Sequence, residues 1–76
     1  MAINERECSI EFGKFIREGR EKKGIDQATM AEKVGLTQSS LSYIELGRRN
    51  TSLTTSLKIC EALNLDFGDF VARFMK

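Results

Sequence analysis

The chain has 76 residues, 41% of them hydrophobic, and 12 Lys and Arg residues against 11 Asp and Glu residues give a formal net charge of +1. This length predicts one domain with a single small core, and the near-neutral charge argues against a non-specific nucleic-acid coating protein. No apolar run approaches the ~18 residues of a membrane span and no signal peptide is recognisable, so we expect a cytoplasmic protein with reduced thiols.

The residue types that enzymes and metal sites need are sparse. There is no His, the two cysteines Cys8 and Cys60 lack metal-ligand spacing, and no glycine loop is suited to phosphate. We therefore expect no enzyme activity, no metal and no cofactor. Cys60 stands among apolar residues of a helical pattern and is predicted to be a core residue. A regulatory disulfide with Cys8 is the minor alternative.

In chain order, residues 1–8 are predicted to be a flexible lead-in to a single domain over residues 9–76. The first helix is expected from Ser9 to Lys23, ending at Gly24 because glycine terminates helices readily. Its inner side is marked by apolar and small residues at helical spacing, namely Ile10, Phe12, Phe15, Ile16 and Gly19.

Two short helices joined by a tight turn are predicted between Asp26 and Asn50. Asp26 is a suitable N-cap for the first of them, and Gly35 follows its end, where a left-handed residue is favoured. Thr37 is a suitable N-cap for the second. Apolar residues at helical spacing form the inner faces of both helices, namely Met30, Ala31, Val34, Leu41 and Ile44.

The outer face of this second helix carries amide and hydroxyl side chains and almost no charge: Gln38, Ser39, Ser40, Ser42 and Tyr43. Such groups match the donors and acceptors of base edges, since glutamine can bond adenine in bidentate fashion. Helix, tight turn and polar helix is the helix-turn-helix plan, with the second helix in the major groove. Two interpretations of Tyr43 stay open: contact with DNA, or packing of its ring on the domain.

These features resemble the Xre-type helix-turn-helix family, which includes lambdoid phage repressors and restriction–modification controller proteins. The resemblance extends from about Phe12 to Phe70. It is carried by Gly24-Ile25-Asp26-Gln27, Met30-Ala31, Gly35-Leu36-Thr37, Leu41-Ser42, Ile44-Glu45, Gly47, Arg49-Asn50 and Ser52-Leu53. It implies an all-α, five-helix, lambda-repressor-like DNA-binding domain with the helix-turn-helix at helices 2 and 3.

The resemblance also implies roles for single residues. Arg20 should pair with Glu45 in a structural ion pair that joins helix 1 to the recognition helix. Gln27 should reach a phosphate and brace Gln38. Asp26 departs from the family, which more often has Ser, Thr or Asn at this position. A carboxylate repels phosphate, so a close approach of the DNA backbone to Asp26 is not expected.

The predicted DNA-binding residues combine the polar helix face with the basic segment that follows it. Within that segment Arg48, Arg49 and Asn50 are suited to phosphate oxygens, with a merely solvated loop as the alternative. The complete predicted set is Gln27, Thr37, Gln38, Ser39, Ser40, Ser42, Tyr43, Arg48, Arg49 and Asn50.

The last two helices are predicted over about Leu53–Leu63, capped by Thr51 or Ser52, and over residues 66–75, capped by Asp66. Asn64 is expected to end helix 4 in the left-handed conformation. The residues of helix 4 expected to point inward are Leu53, Leu57, Ile59, Cys60 and Leu63. Helix 5 is too apolar for a soluble monomer to leave exposed, which predicts a homodimer interface through Phe67, Phe70, Val71 and Phe74. A fully internal helix is the alternative.

The sequence thus predicts a transcriptional regulator that binds a palindromic operator as a homodimer, with recognition helices ~34 Å apart. A restriction–modification controller and a phage or plasmid repressor are the two candidate classes. The alternative is an antitoxin-like protein-interaction module of the same fold with weak or no DNA binding. No second domain for ligand sensing is recognisable, so we expect no small-molecule ligand, and without an apolar span we expect no membrane partner.

Overall fold

The computed structural model describes residues 2–76, which form five α-helices and no strand. The helices are α1 (Glu5–Lys22), α2 (Gln27–Val34), α3 (Gln38–Glu45), α4 (Leu53–Ala62) and α5 (Phe67–Phe74). α1 packs on α3 and α5, α2 packs on α3 and α4, and α4 also contacts α5. The predicted all-α class is confirmed, and α2 and α3 are the helix-turn-helix. Within the described residues, no helix combines the length and the apolar character that a membrane crossing requires.

Helix α1 begins earlier than its sequence predicts. The side chain of Asn4 accepts a hydrogen bond from the backbone N–H of Glu7 at 3.0 Å, which caps the helix at its N-terminus. Two glutamates in the first turn add a favourable interaction with the helix dipole. The predicted lead-in over residues 1–8 is therefore wrong for residues 5–8, which are helical. Met1 lies outside the described residues.

The ends of the other helices follow their local sequence signals. Gly35 has φ +73° after α2, and Asn64 has φ +54° after α4, as predicted for both. The hydroxyl of Thr37 accepts from the backbone N–H of Ser40 at 3.0 Å, and Asp66 accepts from that of Gly68 at 2.8 Å. These caps satisfy backbone groups that a helix end leaves unpaired, so the turns are specified by residues within a few positions of each other.

The core receives side chains from all five helices, and its largest fully buried side chains are Ile16, Met30, Leu41, Ile59 and Leu63. Leu53 and Leu57 are predicted from the sequence to point inward, but they are 65% and 47% exposed. The reason is that α4 turns Ser56, Ile59 and Cys60 toward the core, and a neighbouring helix can cover only one helix face. The prediction for Leu53 and Leu57 is wrong, and α4 has an apolar outer edge.

Helix α5 is held by an aromatic cluster. Phe70 is only 6% exposed, and its ring lies edge-on to that of Phe12 with centroids 5.1 Å apart. Phe67 and Phe74 are half-buried around it, and Val71 is 41% exposed. Phe70 is thus a core residue, and the apolar side chains of α5 that keep solvent-accessible area are its neighbours Phe67, Val71 and Phe74.

Candidate nucleic-acid interface

A buried ion pair joins α1 to the end of α3. The Nε and Nη2 atoms of Arg20 donate to the two carboxylate oxygens of Glu45 at 2.7 and 2.9 Å, and Nη1 donates to the carbonyl of Ile25 at 2.8 Å. The side chains of Arg20 and Glu45 are 11% and 3% exposed. The hydrogen bond with Glu45 raises the pKa of Arg20 despite its burial. This planar, two-bond geometry admits one relative placement of the two helices.

Gln27 belongs to this anchor. Its Nε2 atom donates to Glu45 Oε1 at 3.0 Å, so its amide is used within the domain. The resemblance implied that Gln27 braces Gln38, and the structure gives the bracing hydrogen bond to Glu45 instead. The carboxylate of Glu45 therefore accepts from side chains of both α1 and α2, and α3 is fixed from two directions.

Gly13 is a residue that the sequence analysis missed. A Cβ atom at this position would lie 2.5 Å from the backbone oxygens of Ile44 and Glu45, so only glycine permits the observed approach of α1 to α3. Its spacing from Ile16 and Arg20 places all three on one side of the helix. A glycine in that stripe was the signal that could have revealed the close contact.

The polar face of α3 forms a shallow hollow beside α2. The hollow has a volume of about 280 Å³ and is lined by Gln27, Gln38, Ser39, Ser42 and Tyr43. Every one of these side chains carries hydrogen-bonding groups and none is charged at neutral pH. The structure thus brings together five of the ten predicted residues. Thr37, at the start of the helix, uses its hydroxyl in the cap and in a bond to Ser40 Oγ at 2.9 Å.

Two neighbouring side chains hold Arg49 against α3. Its Nη1 atom donates to Ser40 Oγ at 3.0 Å, and its guanidinium carbon lies 5.7 Å from the centroid of the Tyr43 ring. Tyr43 is 45% exposed, so its ring is not part of the core. The cation–π contact gives Tyr43 a third role, which is to support a cation. Ser40 and Tyr43 together position the positive charge of Arg49 next to the hollow.

Asn50 is tied to the first turns of α1. Its side-chain amide donates to a carboxylate oxygen of Glu5, and its carbonyl oxygen accepts from the hydroxyl of Ser9. Arg48 is exposed and shares a surface hollow with Arg6. From the sequence, Glu5 and Arg6 are predicted to belong to a lead-in over residues 1–8 and Ser9 to begin the first helix, so none of the three was assigned to the site. The structure adds Arg6 to the exposed cations near the loop after α3.

Asp26 caps α2 through its carboxylate, which accepts from the backbone N–H of Thr29 at 2.7 Å. Hydrogen bonds from Thr29 lower the pKa of Asp26, and the charge of Arg20 acts in the same direction. The carboxylate is therefore ionised at neutral pH. It serves the helix end, which explains why an acidic residue is tolerated at this position.

Comparison with known proteins decides the family. A family model described as helix-turn-helix matches residues 16–70. The chain belongs to the Xre-type helix-turn-helix family of transcriptional regulators. An uncharacterized HTH-type transcriptional regulator of Archaeoglobus fulgidus is 37% identical over 54 residues, which cover 71% of this chain and 77% of the relative. Antitoxin HipB of Escherichia coli O6:H1 is 41% identical over 46 residues, covering 60% of this chain and 49% of HipB.

Two solved structures extend this Xre-type likeness to the whole fold. The restriction-modification controller protein C.AhdI from Aeromonas hydrophila is 34% identical with a TM-score of 0.80, and the match covers 90% of this chain and 99% of C.AhdI. The clp gene regulator ClgR from Corynebacterium glutamicum is 26% identical with a TM-score of 0.82, covering 86% and 69% of the two chains. The predicted likeness to restriction–modification controllers is thereby confirmed.

Proposed function

We propose that the protein is a dimeric, sequence-specific DNA-binding regulator that acts in the cytoplasm and inserts α3 into the major groove of a palindromic operator. The observation that carries this proposal is the uncharged, hydrogen-bonding hollow on α3, which lies on a helix fixed by the Arg20–Glu45 pair. A reading surface must present its donors and acceptors at fixed positions, because a bidentate base contact tolerates little displacement.

Direct reading of bases falls to the first turn of α3. Gln38 and Ser39 are exposed there, and the N-terminal residues of a recognition helix are the ones that reach base edges. The amide of Gln38 can pair with an adenine, and the hydroxyl of Ser39 can donate or accept. Ser42 and Tyr43 continue the same surface one turn later.

Contacts with the phosphate backbone fall to the loop after α3. Arg48 and Arg49 are exposed, and the hold of Ser40 and Tyr43 on Arg49 gives its charge a defined place beside the reading surface. Arg6 lies in the neighbourhood of Arg48 and would extend the basic area onto α1. Locally placed cations of this kind compensate for a net charge of only +1.

Dimerisation is proposed through the apolar edge that α4 and α5 leave in contact with water. Leu53 and Leu57 on α4, and Val71 on α5, are large apolar side chains with more than a third of their surface exposed. Phe67 and Phe74 on α5 are half-buried, whereas Phe70 is buried in the core. A two-fold dimer through this edge would place the two α3 helices about one DNA turn apart, ~34 Å, and would require a palindromic site.

The likeness to C.AhdI supports the more specific proposal of a controller of restriction–modification genes. The likeness to HipB, which is described as an antitoxin, supports the second candidate, a module that binds a protein partner. The match spans about half of HipB. The polar hollow on α3 favours DNA, since protein-binding surfaces are centred on apolar and aromatic side chains.

The experiment that tests the proposal is selection of bound sequences from a random duplex pool, followed by a salt titration of the selected site. We expect a palindrome with half-sites about one turn apart. Gln38→Ala should cost roughly 1–3 kcal/mol and relax the preference at one position of each half-site. Arg49→Ala should lower the log–log salt slope by roughly 0.9 for each phosphate that the variant no longer neutralises.

Lys14→Ala is the matched control for charge, because Lys14 lies beside Phe74 on the α5 side of α1. Its salt slope should equal that of the wild type. The proposal is contradicted if no sequence is enriched and if the wild type and Gln38→Ala bind duplex DNA equally weakly. That result would favour the protein-binding candidate.

A further inference from the structure

The loop over residues 46–52 joins α3 to α4 and lies against α1 at two separate points. Gly47 has φ +72° and passes so close to α1 that a Cβ atom there would lie 2.7 Å from the Cα atom of Ile10. Three residues further along the loop, the side chain of Asn50 bonds to Glu5 in the first turn of α1. The loop is therefore supported by the N-terminal part of α1.

Both ends of the Asn50 side-chain amide are engaged. Its Nδ2 atom donates to a carboxylate oxygen of Glu5, and its Oδ1 atom accepts from the hydroxyl of Ser9. A side-chain amide has one acceptor oxygen and two N–H donors. The oxygen and one donor of Asn50 thus serve contacts within the domain, and one N–H remains for a phosphate oxygen, which needs a donor.

The carboxylate of Glu5 lies next to the two arginines that the proposed function assigns to phosphate. Glu5 borders one surface hollow together with Arg48 and another together with Arg49. A negative charge at this place repels phosphate, and through its charge alone it would weaken DNA binding. The presence of an acidic residue here is explained by its bond to Asn50 rather than by its charge.

The two arginines lie between fixed points of the loop. The backbone N–H of Arg48 donates to the carbonyl of Tyr43 at 2.9 Å, which ties the first half of the loop to α3. Asn50 ties the second half to α1. Because Glu5 and Asn50 are exposed, water competes for their bond, which therefore adds little to the stability of the domain. The main effect of this bond is on the position of the loop.

We propose that Glu5, Ser9 and Asn50 are positioning residues of the proposed DNA-binding surface. By holding the loop on α1, they give Arg48 and Arg49 a fixed arrangement toward the phosphates of the DNA backbone. The role rests on the proposed function, since its consequence is a change in affinity for DNA. It assigns Asn50 to the support of the phosphate contacts rather than to a contact of its own.

The test compares two substitutions of Glu5 by their affinity for the duplex selected from the random pool, with the full chain at one salt concentration. Glu5→Ala removes both the charge and the acceptor, and we expect roughly 2- to 10-fold weaker binding, the change that corresponds to one hydrogen bond. Glu5→Gln removes the charge but keeps an acceptor oxygen for Asn50, so it should bind at least as tightly as the wild type.

Glu7→Ala is the matched control for charge. Glu7 lies in the same first turn of α1 as Glu5, and within residues 2–76 its side chain makes no hydrogen bond to the loop. Both alanine variants lose one carboxylate and its interaction with the helix dipole. Glu7→Ala should therefore bind DNA no more weakly than the wild type, in contrast to Glu5→Ala.

Exchange of the two partners separates the hydrogen bond from the charge. Asn50→Asp places a second carboxylate opposite Glu5, so the two like charges repel and the loop loses its support. Combining Asn50→Asp with Glu5→Gln restores a donor and an acceptor in reversed order and keeps the net charge of the wild type. Affinity should return close to the wild-type value. If charge alone acted, the loss in Asn50→Asp would equal the gain in Glu5→Gln, and we expect the loss to be larger.

Hydrogen exchange of the loop tests the same role without DNA. The backbone N–H groups of Gly47 and Arg48 are hydrogen-bonded to carbonyls of α3, and opening of the loop would expose them. Their exchange should be faster in Glu5→Ala than in the wild type and unchanged in Glu5→Gln. The urea midpoints of the three proteins should stay close together, because the change is confined to the loop.

Two results would overturn the proposal. One is binding by Glu5→Ala that is as tight as that of the wild type or tighter, which a purely repulsive carboxylate would give. The other is equal exchange at Gly47 and Arg48 in the wild type and in Glu5→Ala. A wild type that binds no duplex would contradict the proposed function instead, and the exchange rates would still show whether Glu5 holds the loop.

Discussion

Helices α3 and α5 are of equal length, eight residues each, but they are held in different ways. α3 is fixed by its cap, by three buried residues and by hydrogen bonds from Arg20 and Gln27 to Glu45. α5 has one buried residue, Phe70, and is held by contacts between aromatic rings. Directional polar contacts specify orientation, whereas apolar contacts depend mainly on area and tolerate adjustment. Directional contacts thus fix α3, which carries the polar hollow, whereas apolar contacts hold α5, on which Val71 is exposed.

The largest expected effect comes from breaking the anchor of α3. Arg20→Ala would leave Glu45 buried without its counter-charge, and we expect a loss of about 3–5 kcal/mol in the free energy of unfolding. Urea denaturation measures this directly. Arg17→Ala is the control, because Arg17 pairs with Glu21 at 3.3 Å on the exposed side of the same helix. That change should cost less than about 1 kcal/mol, and equal losses in the two variants would refute the anchoring role.

The next effect comes from the backbone contact between α1 and α3. Gly13→Ala would place a Cβ 2.5 Å from two backbone oxygens of α3, and we expect a loss of about 1–3 kcal/mol from the forced separation. Gly68→Ala in α5 is the counterpart. Its nearest neighbour is the side-chain oxygen of Asp66 at 3.0 Å, which can move slightly, and alanine favours a helix. The urea midpoint of Gly68→Ala should therefore stay close to that of the wild type. If the midpoint of Gly13→Ala is equally close, the contact at Gly13 does not require glycine.

A smaller effect on stability, with a large effect on assembly, is expected for Val71→Glu. Val71 is exposed in the protomer, so the free energy of unfolding at dilute protein should change by no more than about 0.5 kcal/mol. Sedimentation equilibrium should give the mass of one chain, since a carboxylate would be buried in the proposed interface. Ala72→Glu, one position further around the helix, should leave the dimer intact. A dimeric Val71→Glu protein would exclude α5 from the interface.

The smallest effect concerns the cap of α2 in acid. Hydrogen bonds from Thr29 hold the pKa of Asp26 below its ordinary value. The stabilisation is therefore present above the pKa of the unfolded chain and is lost as the pH falls through that of the folded protein. In Asp26→Asn the new amide side chain can still cap the helix but does not titrate in this range. Urea midpoints should fall less in acid for Asp26→Asn than for the wild type, and equal falls in the two proteins would contradict the role of the Asp26 carboxylate.

The sequence predicted what depends on neighbouring residues along the chain. The caps at Thr37 and Asp66 and the left-handed residues Gly35 and Asn64 follow from the needs of a helix end, which are met within a few positions. The periodicity of apolar residues was likewise sufficient to predict the two helices of the helix-turn-helix. These signals are local, so they do not depend on how the helices are arranged in space.

What the sequence did not predict depends on which helices meet. Gln27 could have bonded to several acceptors, and the choice of Glu45 follows from the position of α2 against α3. The outward placement of Leu53 and Leu57 depends on the rotation of α4 against the core. The bonds of Asn50 to Glu5 and Ser9 join residues more than 40 positions apart. Such pairings depend on how the helices pack, and no periodic pattern in the sequence indicates them.

Under the proposed function, the contact at Gly13 has a consequence for how a new preference for DNA sequence would arise. It is made to backbone atoms at the end of α3 rather than to the outward side chains. The distance between α1 and α3 is therefore independent of the identity of residues 38, 39 and 42. Those positions can be exchanged, by selection in nature or in a combinatorial library, while the scaffold stays the same. Diversity at the proposed reading surface is therefore independent of the contacts that fold the domain.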